Sequence, residues 1–181
     1  MGISVPPHVE EEDLRLREGS VVHLRPIRGD DNQRLQDFHA HLSDVSIIHR
    51  FFGYVPVLSE DMATHFTHLD YADEMAFVVT IPDGEDMRIV GVGRYSRVGP
   101  ECAEIAFTVA DAWQGRGIAT ELLFRLAWYA RAHGFRRFIA YVMPDNLPMI
   151  TVFKHCGIPV CFHRDEQTVV ATLDISRSDR L

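Results

Sequence analysis

One stretch of the sequence changes its hydrophobic periodicity at a glycine-bearing loop, and this change most narrows the folds open to the chain. Residues 102–109 alternate with a period of two, which is typical of a strand with two unlike faces. After Gly115, apolar residues recur at the spacing of one helix face, and these are Ile118, Leu122, Leu123, Leu126 and Ala127. We expect this helix to close near Gly134. A strand that leads through glycines into an amphipathic helix predicts a mixed α/β domain.

Similar patterns along the chain predict a single domain over residues 20–175. Further strands are expected at 21–26, 75–81, 88–98, 138–142, 160–163 and 168–173. Further helices are expected at 31–42, 44–52, 60–69 and 146–156, the first capped by Asp30 or Asp31, the second capped by Ser43 and ended by Gly53. Pro82-Asp83-Gly84 predicts a hairpin turn. Residues 1–19 are interpreted as a polar lead-in, with one helical turn within 10–17.

The length and charge of the chain narrow its class. Its 181 residues suit one domain, and 46% hydrophobic with 24% charged residues is the mixture of an ordinary globular protein. The net charge of -8 argues against nucleic acid as a partner. No apolar run approaches the ~20 residues of a membrane helix, and the acidic start lacks an apolar signal core. We therefore expect a cytoplasmic protein that binds neither nucleic acid nor a membrane.

The loop at residues 114–119 predicts a phosphate site. Backbone N–H groups at a helix start have no partner within the helix, and the helix dipole is positive there. Gly115 and Gly117 allow a ligand to approach the backbone, and Arg116 adds a charged donor. A short Gly-x-Gly segment by itself is also compatible with an ordinary turn.

This loop resembles the signature of a known family. Its sequence, Gln114-Gly-Arg-Gly-Ile-Ala119, is similar to the Gln/Arg-x-x-Gly-x-Gly/Ala motif of the GNAT acetyltransferases, in which it cradles the pyrophosphate of coenzyme A. The resemblance implies a twisted mixed sheet of about six or seven strands, flanked by helices and splayed between strands 102–109 and 138–142 to admit acetyl-CoA, the acyl donor. It also implies cofactor contacts from Phe107, Thr108, Val109, Gln114, Gly115, Arg116, Gly117, Ile118, Ala119, Thr120 and Asn146.

A narrower resemblance is to the bacterial protein-lysine acetyltransferases that modify acyl-CoA synthetases. It rests on Ala103–Phe107 and Trp113–Ile118. Ser43–Phe52 is similar to a Ser…Arg-Phe segment on the substrate side of those enzymes. The resemblance implies that the acceptor is a lysine amine of a protein, such as an acyl-CoA synthetase. The negative net charge is compatible with such a cationic substrate.

Glu104 is the candidate general base. Acetyl transfer requires a neutral amine, and the pKa of a free lysine is ~10.4. A carboxylate that removes the proton, directly or through one water, is typically worth ~10²–10⁴ in rate. Alternation places Glu104 on the strand face of Cys102, Ala106 and Thr108, opposite Ile105, Phe107 and Val109. Glu104 also matches the glutamate assigned as base in the narrower group. A solvated carboxylate without a role is the alternative, and Glu101 is the second candidate.

Two further groups of the reaction, the oxyanion and the leaving thiolate, require little from the side chains of the protein. The backbone N–H of Val109 is the expected donor to the oxyanion that forms from the thioester. Many family members protonate the thiolate with a tyrosine seven residues after the helix-opening asparagine, and Phe153 holds that position here. Because a thiol has a pKa near ~8.5, we expect the thiolate to leave without a dedicated acid.

Several conspicuous residues are interpreted as structural. The ten histidines include the pairs His39/His41 and His65/His68, but no third ligand follows at a usual spacing, so no metal is expected. The three cysteines are expected to be reduced and packed as small hydrophobes. Two aromatic pairs are expected in the core, Phe51-Phe52 and Trp128-Tyr129.

Three functions remain open at this point. The leading hypothesis is transfer of acetyl from acetyl-CoA to a protein lysine. The same reaction on a small-molecule amine is the first alternative. A non-catalytic acyl-CoA-binding module is the second, which Phe153 favours and Glu104 opposes.

Overall fold

A computed structural model describes residue 9 and residues 11–177 of the chain. Within this part, eight strands form one mixed sheet in the order β1-β2-β3-β4-β5-β6-β8-β7. The strands are β1 (Glu12–Arg15), β2 (Val21–Pro26), β3 (Glu74–Asp83), β4 (Asp86–Gly99), β5 (Cys102–Val109), β6 (Arg137–Val142), β7 (Val160–Arg164) and β8 (Val169–Asp174). The α-helices are α1 (Asn32–Ala40), α2 (Asp44–Phe51), α3 (Glu60–Thr67), α4 (Ile118–Ala132) and α5 (Leu147–His155). The predicted mixed α/β class is confirmed.

The helices cover both faces of the sheet. Helices α1 to α3 lie on the face to which Val92 and Arg94 of β4 contribute, and α4 lies on the opposite face, against β3, β4 and β5. The predicted apolar stripe of α4 is buried throughout. The helix ends at Ala132, and Gly134 takes φ of 84°, the left-handed conformation in which glycine commonly closes a helix. The periodicity therefore predicted both the helix and its end.

The segment before β2 is an edge strand, so the predicted helical turn within residues 10–17 is wrong. Residues 12–15 pair antiparallel with residues 21–24, and Leu16 is buried where the chain reverses. The strand carries mostly exposed, charged side chains, as edge strands often do, and it therefore lacks the alternation that reveals a strand in a sequence. It also accounts for the eighth strand. Residues 1–8 and 10 of the predicted lead-in lie outside the described residues.

Asp31 precedes α1 but does not cap it through its side chain, contrary to the prediction. Its carboxylate instead accepts hydrogen bonds from both terminal nitrogens of Arg25, at 2.7 and 2.8 Å, and from the backbone N–H of Arg28 at 2.8 Å. Both side chains are buried, and a guanidinium removed from water needs a paired carboxylate. The pairing of Asp31 with Arg25 is a tertiary contact that the local sequence does not reveal.

Helix α2 ends at a left-handed residue that is not glycine. Ser43 caps its start as predicted, accepting a hydrogen bond from the N–H of Ser46 at 3.3 Å. At the other end Phe52 takes φ of 56°, although the sequence predicts Gly53 as the terminator. A bulky residue in this conformation is uncommon and requires compensating contacts. Phe52 is 46% exposed, so the predicted burial of the Phe51-Phe52 pair is wrong for this ring.

Two other burial predictions fail in part. Trp128 is 49% exposed although its neighbour Tyr129 is buried. All three cysteines are free thiols, and Cys102 and Cys156 are buried as expected, but Cys161 is exposed.

None of the helices in the described residues is long and apolar enough to cross a membrane.

Two glycines in β4 allow α4 to lie close to the sheet. A Cβ at Gly91 would stand 2.8 Å from Cγ2 of Ile118, and a Cβ at Gly93 would stand 3.0 Å from Cβ of Leu122. Both helix residues are buried, so the helix has little room to retreat. The start of α4, which follows the glycine loop, is thus set by the absence of side chains in β4.

Gly91→Ala is expected to lower the free energy of unfolding by about 1–3 kcal/mol, because the added methyl overpacks the contact with Ile118. Urea denaturation of the variant and the wild type measures this difference. Gly53→Ala is the matched control, since a Cβ there meets nothing within 4 Å. Equal stability of all three proteins would mean that α4 moves freely relative to β4.

Strands β5 and β6 diverge, as the family resemblance predicted. They run parallel and pair only at their amino ends, where residues 102–104 lie beside residues 137–139. Strand β4 continues to pair with β5 as far as Val109. Beyond residue 104, no described strand pairs with the other side of β5. The sheet is therefore open between the carboxyl ends of β5 and β6.

Candidate active site

The loop before α4 presents a row of unpaired backbone donors. In the described residues, no hydrogen bond is made by the N–H groups of residues 115–120, and the first paired one is that of Glu121, to Gly117 O at 3.1 Å. The loop glycines are exposed. Such a row at a helix start, with the positive end of the helix dipole behind it, suits a phosphate or pyrophosphate group. The predicted phosphate loop therefore has the geometry its chemistry requires.

Gly115 and Gly117 both need to be glycine for conformational reasons. Their φ angles are 73° and 93°, in the region that L side chains rarely adopt. A Cβ built at either position meets no atom within 4 Å, so the space beside the loop is open to a ligand. The predicted role of these glycines is to let a ligand approach the backbone, and the open space is compatible with it; the contact itself stays a prediction.

Arg116 has partners within the protein. Its Nη1 donates to Glu18 at 3.1 Å and its Nη2 donates to the carbonyl of Ala112 at 2.8 Å, while the guanidinium lies 4.6 Å from the ring centroid of Trp113. The predicted contact of Arg116 with a phosphate stays a prediction. It would require exchange of the exposed Glu18 ion pair, which is weak in water.

A hydrogen-bond network that the sequence did not reveal joins the loop to the start of α2. Asp111 accepts from the N–H of Ser43 at 3.0 Å, from its hydroxyl at 2.6 Å and from the hydroxyl of Ser46 at 2.9 Å. The Gln114 amide donates to Ser46 Oγ at 3.2 Å and to the carbonyl of Val109 at 3.1 Å. The network therefore ties α2, the end of β5 and the phosphate loop together. The contacts with Ser43 and Ser46 span more than 60 positions of the chain, so no local pattern signals them.

Asp111→Asn is expected to lower the free energy of unfolding at pH 7 by about 1 kcal/mol, the low end for hydrogen bonds to a charge, because Asp111 is exposed. Partial burial opposes ionisation, but hydrogen bonds from Ser43 and Ser46 outweigh it and hold the pKa of Asp111 below its usual range. A lowered folded pKa stabilises the protein above the ordinary carboxyl pKa, and this stabilisation is lost as pH falls through the folded value.

The difference in the free energy of unfolding between wild type and Asp111→Asn should therefore shrink as the pH falls below the pKa of a normal carboxyl group. Urea denaturation at neutral and acidic pH measures it. Asp83→Asn is a suitable control, since Asp83 is exposed at the β3–β4 turn and its side chain makes no hydrogen bond or ion pair with a described residue. An Asp111 difference that grew on acidification would contradict the network's electrostatic role.

The free edge of β5 offers backbone groups to the opening in the sheet. The N–H of Ala110 donates to Val90 O on β4 at 2.8 Å. Because main-chain groups of successive strand residues point to opposite edges, the groups of Phe107 and Val109 point away from β4, toward the divergence from β6. The carbonyl of Val109 is occupied by Gln114. Polar groups along a thioester arm could pair with this edge.

Glu104 lies at the other end of β5, where the strands begin to diverge. It is exposed, whereas Ile105, Phe107 and Val109 are buried, so the predicted division into two faces is confirmed over residues 104–109. Cys102, predicted on the face of Glu104, is buried at the start of the strand. Its cross-strand neighbour on β4 is Ser96. Glu101 is also exposed and pairs with Arg136 at 3.2 Å, at the turn before the strand.

Asn146 and Phe153 occupy the positions expected from the family pattern. The Oδ1 of Asn146 caps α5 by accepting from the N–H of Met149 at 3.3 Å, a structural role that the sequence pattern did not predict. Phe153 is 1% exposed, and its ring lies 6.2 Å from that of Phe107. A phenyl group has no acidic proton, so the side chain at position 153 cannot protonate a leaving thiolate.

A pocket beside β4 and β5 was not predicted from the sequence. It encloses about 40 Å³ between the sheet and helices α1 to α3. Its surface is mostly apolar and includes Phe38, Phe51 and Phe66, and the residues that line it also include Arg50, Arg94, Ala106 and Thr108. The Arg50-Phe51 pair was the one available signal, through its resemblance to a substrate-side segment.

The histidines serve structural roles where contacts are seen. His39 is buried on α1 and lies 2.7 Å from the carbonyl of Val55 through its Nε2. His41 and His68 each contact a carbonyl of their own helix. In residues 9 and 11–177, no three His, Cys, Asp or Glu side chains are grouped so as to hold a metal ion.

Known proteins with similar sequences agree on one family. Residues 22–158 match the acetyltransferase (GNAT) domain. An acetyltransferase of Pseudomonas aeruginosa is 34% identical over 135 residues, which are 74% of this chain and 73% of that protein. The acetyltransferase Pat of Mycolicibacterium smegmatis is 30% identical over 168 residues, which are 92% of this chain but 49% of Pat, so the chain spans about half of that protein.

A solved structure supports the same assignment. The GNAT domain of S. lividans PAT has a TM-score of 0.83 and 38% identity to this chain, and the match covers 91% of this chain and 96% of that domain. Both the predicted superfamily and the narrower resemblance to bacterial Pat proteins are confirmed. The fold, the open phosphate loop and these similarities lead to one conclusion: the chain belongs to the GNAT family of acetyl-CoA-dependent N-acetyltransferases.

Proposed function

We propose that this protein transfers the acetyl group of acetyl-CoA to a lysine side chain of a protein, with Glu104 as the general base. The observation that carries the proposal is the placement of three elements along β5. The phosphate loop follows its carboxyl end, the edge of the strand is open, and Glu104 projects from its amino-terminal half on the side of the pocket. Similarity to Pat and to the S. lividans PAT domain supports a protein acceptor.

In the proposed reaction, the lysine Nζ attacks the thioester carbonyl carbon. Its proton passes to Glu104, directly or through one water, as the C–N bond forms. The C–S bond then breaks, and the coenzyme A thiolate takes a proton from solvent. Because a thiol pKa lies near ~8.5, this last step needs no protein acid, which agrees with phenylalanine at position 153.

The spacing along β5 favours Phe107 over Val109 as the oxyanion donor. Both N–H groups point to the open edge of the strand. Val109 lies five residues from Glu104, about 16 Å along an extended strand, whereas Phe107 lies three residues away, about 10 Å. A glutamate side chain and one bridging water span the shorter distance but not the longer one. The proposed role of Val109 is therefore to pair with the arm of the acyl donor farther from the thioester.

The surface around the pocket supports a macromolecular acceptor. Four apolar side chains of the segment that contains α2 and the following loop are largely exposed, and these are Val45, Phe52, Tyr54 and Val57. Scattered exposed apolar residues are common, but four within thirteen positions beside a pocket are compatible with a docking surface. The acidic net charge of -8 would favour approach of a basic lysine-bearing surface.

The test is an intact-mass screen of candidate proteins, acyl-CoA synthetases first, after incubation with the enzyme and acetyl-CoA. A gain of one acetyl group at one lysine, absent with Glu104→Gln, would support the proposal. Efficient acetylation of polyamines or amino acids, without label on any protein of a lysate, would replace the protein acceptor with a small amine. Binding of acetyl-CoA without transfer to any amine would identify a non-catalytic module.

A further inference from the structure

Two arginines share the pocket beside β5 without a carboxylate partner. Arg94 of β4 is 9% exposed, and Arg50 of α2 is half-buried. Arg94 donates one hydrogen bond, to the carbonyl of Phe66 at 3.2 Å, and its guanidinium lies 4.4 Å from the Phe66 ring centroid. The guanidinium of Arg50 lies 4.8 Å from the ring of Phe51. Neither arginine forms a salt bridge with a described residue.

The pocket holds two neighbouring positive charges that are not balanced by an ion-paired carboxylate among the described residues. Burial lowers the pKa of Arg94 to about 9, and repulsion from the nearby Arg50 acts in the same direction. Burial also lowers the pKa of Arg50, although the charge of Glu104 opposes the shift. Glu74 has the corresponding effect on Arg94. Among the described residues, the other buried arginine is Arg25, and its guanidinium has a bidentate carboxylate partner in Asp31, which Arg94 lacks.

The register of the sheet leaves space for a ligand at Arg94. Across the three central strands, Ala76, Arg94 and Ala106 form one row on the pocket face. The neighbours of Arg94 within the sheet are therefore small, and the described aromatic ring that packs against its guanidinium is that of Phe66. The cavity of about 40 Å³ exceeds the ~10–15 Å³ that one water needs. The cavity therefore has room for a small planar group beside the two arginines.

The adjacent row of the sheet places this space beside the proposed base. That row consists of Glu74, Ser96 and Glu104. Arg94 and Glu104 are diagonal neighbours on adjacent strands, a relation that places Cβ atoms within about 7–8 Å. The electrostatic influence of Glu104 on Arg50 agrees with this proximity. An acceptor whose amine reaches Glu104 could therefore place a second group in the pocket.

We propose that Arg50 and Arg94 form a carboxylate-binding subsite for the acceptor, so that the enzyme selects amines with an acidic group close to the reacting nitrogen. The inference rests on the proposed acetyl transfer with Glu104 as base. Guanidinium groups bind carboxylates through charge-assisted, often bidentate hydrogen bonds. In a protein acceptor the carboxylate belongs to an aspartate or glutamate near the target lysine, and in a small acceptor it belongs to the amine itself. Amines without an acidic group, such as polyamines, are poor acceptors.

The experiment measures binding in the presence of coenzyme A, so that it does not depend on turnover. One set of probes is a lysine peptide in which each of the three positions on either side of lysine carries glutamate or glutamine in turn. A second set pairs ω-amino acids with their amides. Calorimetry compares wild type with Arg50→Gln and Arg94→Gln. Arg97→Gln is the matched control, since Arg97 of the same strand lies over the Phe135 ring at 4.1 Å and pairs with Asp73, outside the pocket.

We expect at least one glutamate peptide, or one amino acid, to bind wild type about 10- to 100-fold more tightly than its amide partner. This preference should vanish in Arg50→Gln and Arg94→Gln and persist in Arg97→Gln. The peptide set and the small-molecule set identify the source of the carboxylate. If Arg94→Gln does not fold, Arg50→Gln alone decides the result.

Equal binding of both members of every pair by wild type, or no binding by any probe, would overturn the subsite. So would a preference that survives both arginine substitutions. Discrimination in binding without acetyl transfer to any amine would retain the subsite and reject the proposed function. Acetyl transfer without discrimination in binding would retain the proposed function and reject the subsite.

Discussion

Glu104→Gln is expected to reduce turnover by ~10²–10⁴ at neutral pH and to leave acetyl-CoA affinity unchanged. Glutamine keeps the size and the hydrogen-bonding capacity of the side chain but cannot accept the amine proton. Glu104 is exposed and faces away from the buried side of β5, so the substitution should not destabilise the sheet. Steady-state kinetics give the loss in kcat, and calorimetry with acetyl-CoA shows that the donor still binds.

The pH dependence of this variant separates loss of the base from other defects. The neutral fraction of a lysine amine rises with pH, because its pKa is ~10.4. The activity of Glu104→Gln should therefore recover in part at high pH. Glu101→Gln is the control, since Glu101 lies in the turn before β5 and pairs with Arg136. Wild-type turnover in Glu104→Gln with a large loss in Glu101→Gln would transfer the role to Glu101.

Gly117→Asp is expected to weaken acetyl-CoA binding severely, by about 100-fold or more. The substitution places a carboxylate beside the unpaired N–H groups where the pyrophosphate is proposed to bind, so that like charges repel. It also forces a side chain into φ of 93°. Calorimetry with acetyl-CoA measures the loss, and thermal unfolding shows whether the variant is folded.

Two further variants separate charge from conformational strain. Gly117→Asn has nearly the same shape as aspartate and tolerates positive φ, but it carries no charge. It should bind acetyl-CoA more tightly than Gly117→Asp. Gly134→Asp introduces the same residue at φ of 84° at the other end of α4, with equally open surroundings, and should bind as wild type does. Near-wild-type affinity in a folded Gly117→Asp would remove the phosphate assignment from this loop.

The local pattern of the sequence was sufficient for the strand-loop-helix unit and for the family. Residues 102–109 alternate because only one face of β5 is buried, and the stripe that begins at Ile118 has the helical period because one side of α4 covers the sheet. Gly115 and Gly117 are required by positive φ, a constraint that acts on single residues. Such features depend on neighbours in the chain, and the sequence alone therefore predicts them.

Edges and capping residues were predicted less well, because other parts of the fold decide them. Strand β1 is held by its pairing with β2, not by its own hydrophobic pattern. Asp31 gives its carboxylate to Arg25 and not to α1, and the chain reverses at Phe52 in spite of the glycine that follows. For β1 and Asp31, a tertiary contact outweighs a local preference of about 1 kcal/mol.

The tertiary structure alone brought together the parts of the site that lie far apart in the chain. The sequence places Arg50 and Arg94 on separate elements. The packing of α2 on the sheet brings them into one pocket, and the register of β4 and β5 places Arg94 next to Glu104. The Asp111 network likewise joins residues 43–46 to residues 109–114. Periodicity determines which face a side chain takes within its element. Which faces meet depends on strand order and helix packing, and these are set by the burial of the whole core.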